Sequence, residues 1–192
     1  HFVKAAPFPF MINFELWNEC NAQCTFCRTD DGVIYDQNPE NKGQVPIPKG
    51  KMSLELYKEI IEQSKDHILI AVLYVNGEPL MYKGLYEAIQ FASDRGVATL
   101  ISTNGELLTE NNIKKLLESG LDFVKIAISG FSQDIYTVQH RGCHIEKIKD
   151  NLETLARLRD LGQHKILIML DYVYYQYNSH EYQSALDFGQ RL

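Results

Sequence analysis

What most restricts the fold of this chain is a repeated alternation. An amphipathic helical stretch, a glycine or polar stop and a short β-branched run follow one another four times after Ser53. Ser53 can cap a helix whose apolar residues Leu54, Tyr57, Ile60 and Ile61 share one face, and His67 to Val75 then reads as a buried strand. Tyr82 to Arg95 repeats the helical spacing through Leu85, Ala88, Ile89 and Ala92, Gly96 ends it, and Val97 to Ser102 follows as a strand. A third helix is expected from Thr109 to Ser119, with Ile113, Leu116 and Leu117 inward, before the strand Phe123 to Ser129. The fourth uses Ile145, Ile148, Leu152 and Leu155, stops near Gly162 and leads into Lys165 to Tyr174. A fifth runs from about Ser179 to the end, and the mostly apolar run Phe10 to Trp17 supplies the first strand.

Five strands, each followed by a helix, imply a parallel sheet with right-handed crossovers, either open and doubly wound or a full or partial barrel. Alternation inside the strands separates these. In Val124-Lys125-Ile126-Ala127-Ile128-Ser129 the even positions are β-branched and the odd ones are Lys, Ala and Ser, and Ile12, Phe14 and Leu16 alternate with Asn13, Glu15 and Trp17. A sheet covered by helices on both sides is apolar on both faces, so the asymmetry points to a curved sheet with a polar concave side. Glu15, Lys125 and Asp171 are expected to look into that lumen.

The 192 residues, 45% hydrophobic and 23% charged, fit one soluble globular domain. No segment is long enough to span a membrane, and a formal charge of -6 disfavours broad attraction to nucleic acid. Thr29 to Gly50 breaks the rhythm: polar, rich in proline and glycine and without periodicity, it reads as a long loop leaving a site.

That loop begins at a compact triad, Cys20-Asn21-Ala22-Gln23-Cys24-Thr25-Phe26-Cys27, whose C-x3-C-x2-C spacing offers three thiolates where closed metal sites take four ligands. An iron-sulfur cluster held this way keeps one iron open. A structural zinc completed by His140, His144 or Cys143 is the alternative. A disulfide framework is weaker, because Cys143 is the one remaining cysteine and no signal peptide is visible, so a reducing cytoplasm is expected.

The other strand ends are also polar or glycine-rich: Asn76-Gly77-Glu78-Pro79, Ser102-Thr103-Asn104-Gly105 and Ser129-Gly130. In a parallel array they are neighbours at the C-terminal rim, where such folds build their sites. Singly, each could be no more than a turn.

Taken in order, the triad, Gly77-Glu78-Pro79-Leu80, Thr103-Asn104-Gly105 with Leu107-Leu108-Thr109, and Tyr136 with Arg141-Gly142 resemble the catalytic core of radical S-adenosylmethionine (radical SAM) enzymes. The likeness is to the subfamily that often carries an appended SPASM or twitch domain. It implies an α/β partial TIM-like barrel of parallel strands with at least five of six strand-helix units present. It also implies a [4Fe-4S] cluster on Cys20, Cys24 and Cys27 whose open iron is chelated by the amino and carboxylate groups of S-adenosylmethionine. Reductive cleavage would give methionine and a 5′-deoxyadenosyl radical that abstracts hydrogen from a substrate, with a reductant such as flavodoxin or ferredoxin as partner.

The resemblance further implies residue roles. The Gly77 backbone and Glu78 would meet the ammonium of S-adenosylmethionine and Arg141 its carboxylate; Asn104 and Ser129 would bond the ribose or methionine portion. Phe26 would pack near the adenine, with Leu170 and Asn178 as further candidates there, and Cys143 is a candidate hydrogen donor, its alternative being an inert buried thiol. The expected reaction is oxidation, epimerisation or cross-linking of a sugar-like metabolite or a peptide. Methyl or methylthio transfer to RNA and a zinc-stabilised binding module are the alternatives. Residues 1–192 would be the core domain, its sixth unit and any SPASM or twitch domain lying beyond Leu192; His1 does not look like a natural start.

Overall fold

A computed structural model describes residues 7–27 and 49–192. The expected loop from Thr29 lies outside the described residues up to position 48. Strands β1 (Met11–Asn13), β2 (Ile70–Val72), β3 (Ala98–Thr103), β4 (Phe123–Ile128) and β5 (Leu167–Tyr172) form one sheet in the order β1-β2-β3-β4-β5. Every neighbouring pair is parallel. Strand order that never reverses is the winding of a barrel; a doubly wound sheet reverses at its switch point. The chain is thus an α/β partial barrel.

Helices α1 (Leu54–Ser64), α2 (Leu85–Ser93), α3 (Glu110–Glu118), α4 (Gln133–Tyr136), α5 (Ile145–Leu161) and α6 (Tyr182–Gly189) join and follow the strands. The starts of α1 and α3 obey local chemistry: Ser53 Oγ accepts from Leu56 N at 3.1 Å, and Thr109 Oγ1 accepts from Asn112 N at 3.3 Å. The expected start at Tyr82 moves to Leu85, because Pro79–Met81 forms a separate 3₁₀ turn that Tyr82 closes. A 3₁₀ segment, Gln176–Glu181, likewise precedes α6. Strands β1 and β2 are shorter than their apolar runs, since ladder pairing between them covers three residues. Phe14 N still bonds Val72 O at 2.7 Å, and Trp17 bridges Lys51.

The core lies between the helices and one face of the sheet. Tyr57, Ile61, Leu85, Ile89, Ile113 and Leu116 are fully buried from the helix side, meeting Ile101, Val124 and Ile126 from the strands. In β3 and β4 burial alternates residue by residue, so the second face is left partly open. Lys125 and Asp171 lie on that open face as an ion pair at 3.4 Å, and Glu15 Oε1 accepts from Asn76 Nδ2 at 2.7 Å. Among the described residues no helix is long and apolar enough to cross a membrane.

Candidate functional site

The loop carrying Cys20, Cys24 and Cys27 leaves the first strand and is tied to three distant segments. Glu78 N donates to Glu19 O at 2.8 Å, Gln23 N to Arg141 O at 2.8 Å and Thr25 N to Gln139 O at 2.8 Å. Thr25 Oγ1 also bonds the Gln139 side chain, and Asn104 Nδ2 reaches Asn21 Oδ1 at 2.9 Å. The rim expected from sequence is therefore a hydrogen-bonded junction. The Gln139 and Arg141 contacts had no local signal, because they join residues more than a hundred positions apart.

The three thiols are half-buried. Burial raises Cys20, and burial with the adjacent Cys27 and Cys20 pushes Cys24 up to about 12. Such thiols are protonated until a cation takes their place, and metal coordination removes those protons outright. A single zinc ion needs its donors about 2.3 Å from one point. Among the described residues no three His, Cys, Asp or Glu side chains converge in that way. Three thiols on one short loop supply the thiolate donors that iron-sulfur clusters take. The residues thus fit a cluster. Of the candidates for a fourth zinc ligand, His140 Nδ1 bonds Ser129 Oγ at 2.8 Å, His144 Nδ1 bonds Glu106 Oε1 at 3.2 Å, and Cys143 is buried in the core.

Glu78 sits inside this junction. It is 1% exposed, Oε1 accepting from Thr103 Oγ1 at 2.8 Å and Leu80 N at 3.1 Å, Oε2 from Asn104 N at 2.9 Å. Burial raises its pKa against the lowering effect of those donors. Glu78 therefore locks the end of β3 to the end of the second strand's loop. Gly77 makes this possible: its φ is +76°, and a Cβ there would stand 2.6 Å from Trp17 O.

Ser129 is fully buried, and Tyr136 stacks on its partner His140 with ring centroids 4.6 Å apart. Gly130 permits that packing, since a Cβ there would collide with Tyr136 N. Phe26, half exposed, meets His140 edge-on at 5.2 Å. Tyr136 Oη and Trp17 Nε1 are buried without hydrogen-bond partners among the described residues. Burial holds the His140 imidazole down to about 4, so the native state keeps it neutral while an unfolded chain takes up a proton near 6.5. Its stabilising contribution is complete above 6.5 and is lost as pH falls toward about 4, amounting to about 3 kcal/mol. Urea unfolding across that range should show a steeper loss for the parent than for His140→Gln; equal slopes would reject the assignment.

The remaining expected site residues divide. Arg141 is exposed and forms no ion pair among the described residues, so its guanidinium is available. Asn178, a candidate near the adenine, is 0% exposed, and both amide hydrogens are used, to Ser129 O and Val173 O at 2.9 Å each. It clamps the end of β4 to the end of β5. Leu170 pairs with Ile126 and so faces the helices, where it lines a cavity of about 330 Å³ with Tyr172, Tyr182 and Leu186. Cys143 is 1% exposed, a member of the core, and burial pushes its thiol up. Glu106, which the sequence did not single out, bonds the His144 N–H and Lys147 Nζ at the start of α5. Burial acts to raise it, but Lys147 and His144 outweigh burial and hold it low.

Residues 14–188 match the family model described as the Radical SAM superfamily. An S-adenosylmethionine-dependent nucleotide dehydratase of Flammeovirga pacifica is 29% identical over 130 residues, covering 68% of this chain and 42% of the relative. The tungsten-containing aldehyde ferredoxin oxidoreductase cofactor-modifying protein of Pyrococcus furiosus is 28% identical over 169 residues, covering 84% and 43%. The chain thus spans less than half the length of either relative. Among solved structures, Streptococcus suis SuiB bound to precursor peptide SuiA superposes with a TM-score of 0.73 at 15% identity, covering 94% of this chain and 36% of that one. That likeness establishes the fold.

Proposed function

Because the chain belongs to the radical SAM superfamily, we propose that Cys20, Cys24 and Cys27 hold a [4Fe-4S] cluster and that the strand ends around them seat S-adenosylmethionine. The enzyme would be of oxidoreductase type, abstracting hydrogen from a small molecule or a peptide. Bound there, the cofactors supply reductive cleavage to methionine and a 5′-deoxyadenosyl radical that takes a hydrogen atom from substrate.

The carrying observation is the junction itself: one cysteine loop bonded to the residues flanking Gly77, Asn104 and Arg141. Glu78 has about four acceptor sites on its two oxygens. Thr103, Leu80 and Asn104 take three, leaving one for the ammonium of S-adenosylmethionine beside the Gly77 backbone. The free guanidinium of Arg141 can pair with its carboxylate in a charge-assisted, bidentate contact. Ser129, already bonded to His140, keeps the second half of its hydroxyl's capacity for a ribose or methionine oxygen. The exposed ring of Phe26 offers an apolar face to adenine.

Glu15, Lys125 and Asp171 on the open face favour a polar substrate. The relatives' names bear on the substrate only broadly: one is a nucleotide dehydratase, and a structural neighbour was solved with a peptide. A flavodoxin or ferredoxin would deliver the electron. Anaerobic reconstitution with iron and sulfide, then incubation with dithionite and S-adenosylmethionine, should release 5′-deoxyadenosine. A well-formed cluster that yields none would overturn the reading.

A further inference from the structure

Asn104 does more in this structure than close a strand. Its Nδ2 lies 3.7 Å from Cys20 Sγ and 2.9 Å from Asn21 Oδ1, two acceptors for the two hydrogens of one amide. Its Oδ1 accepts from Glu106 N at 3.0 Å, and its own backbone N–H is fixed by Glu78 Oε2 at 2.9 Å. Flipping the amide would set oxygen against Asn21 Oδ1 and Cys20 Sγ, and N–H against the Glu106 N–H. The orientation is therefore determined by its surroundings. Ala22 N approaches the same sulfur at 3.4 Å.

We propose that Asn104 is a positioning residue that tunes the reduction potential of the cluster by donating its side-chain N–H to the Cys20 sulfur. This rests on the cluster assignment to the three cysteines made above. Ligand sulfur carries negative charge that grows when the cluster gains an electron, so an N–H dipole aimed at it favours the reduced state and raises the potential. Removing the donor makes reduction harder. The contact is long and shared with Asn21, so the expected change in the oxidised-to-reduced ratio at fixed potential is about threefold to tenfold. The tenfold end equals about 59 mV for one electron.

The test is an EPR-monitored redox titration of the reconstituted protein beside Asn104→Leu, which removes the donor, and Asn104→Asp, which keeps an acceptor for Glu106 N. Asn151→Ala is the structural control, because Asn151 Nδ2 supports the same turn through Gly105 O at 2.8 Å without touching sulfur. Both Asn104 variants should titrate at more negative potential, with Asn151→Ala at the parent value. Parent-like titration of Asn104→Leu, or an equal shift in Asn151→Ala, overturns the proposal while the cluster assignment stands. A parent protein that takes up iron and sulfide without forming a cluster overturns the cysteine assignment and this inference with it. If the Asn104 variants lose the cluster, pulsed EPR of the parent carrying asparagine ¹⁵N-labelled in its side-chain amide decides. A ¹⁵N coupling to the reduced cluster supports the contact, and its absence refutes it.

Discussion

Cys24→Ala should fold normally yet take up little iron on reconstitution and release 5′-deoxyadenosine more than about a hundredfold more slowly than the parent. Loss of a residue that merely supports a metal ligand costs about 10–100-fold, so loss of a ligand itself lies beyond that range. Folding should survive because Cys24 is a half-buried loop residue outside the hydrophobic core. The strapping of its loop to Gln139 and Arg141 also runs through backbone groups of Gln23 and Thr25 that the substitution leaves in place. Circular dichroism, iron content and the visible absorption of the reconstituted protein separate these effects. Parent-like iron uptake and cleavage would reject Cys24 as a ligand.

Gly77→Ala should damage the same site from the opposite side. A left-handed residue with a Cβ costs about 1–2 kcal/mol by itself. Here the Cβ would also press within 2.6 Å of Trp17 O and 2.8 Å of Asn18 Cα, backbone atoms that no rotamer change can move aside. Relief requires shifting the start of the cysteine loop and weakening the Glu78 N to Glu19 O bond. A total loss of about 2–4 kcal/mol is expected, together with poor cluster retention. Denaturant unfolding gives the first and iron content the second. A stability within about 0.5 kcal/mol of the parent would mean that the close approach is not maintained in solution.

The strand-helix order was legible because each element declares itself locally. Ser53 and Thr109 are capping residues at the helix starts where they stand, and Gly162 follows α5 directly. The polar face of the sheet was legible too, since period-two alternation in Val124 to Ser129 needs no partner to be read. The side on which a given rim residue works was less so. Leu170 faces the helices because it pairs with Ile126, and a register slip of one residue would have turned it to the open face. The clamp made by Asn178 has no local signal, because the ends of β4 and β5 that take both of its amide hydrogens meet only in the fold.

By itself the sequence determined the family, the partial barrel and the three-thiol loop, because motif order, hydrophobic period and residue chemistry are properties of the chain alone. Tertiary structure decided what the rim residues face. Glu78 is drawn inward to Thr103 and Asn104, Arg141 is left open, and Asn104 turns toward the Cys20 sulfur. The physical reason is that a polar side chain's role follows from which donors and acceptors surround it. At this site those partners come from segments as much as 118 residues apart, the separation of Gln23 from Arg141, and no local pattern can announce them.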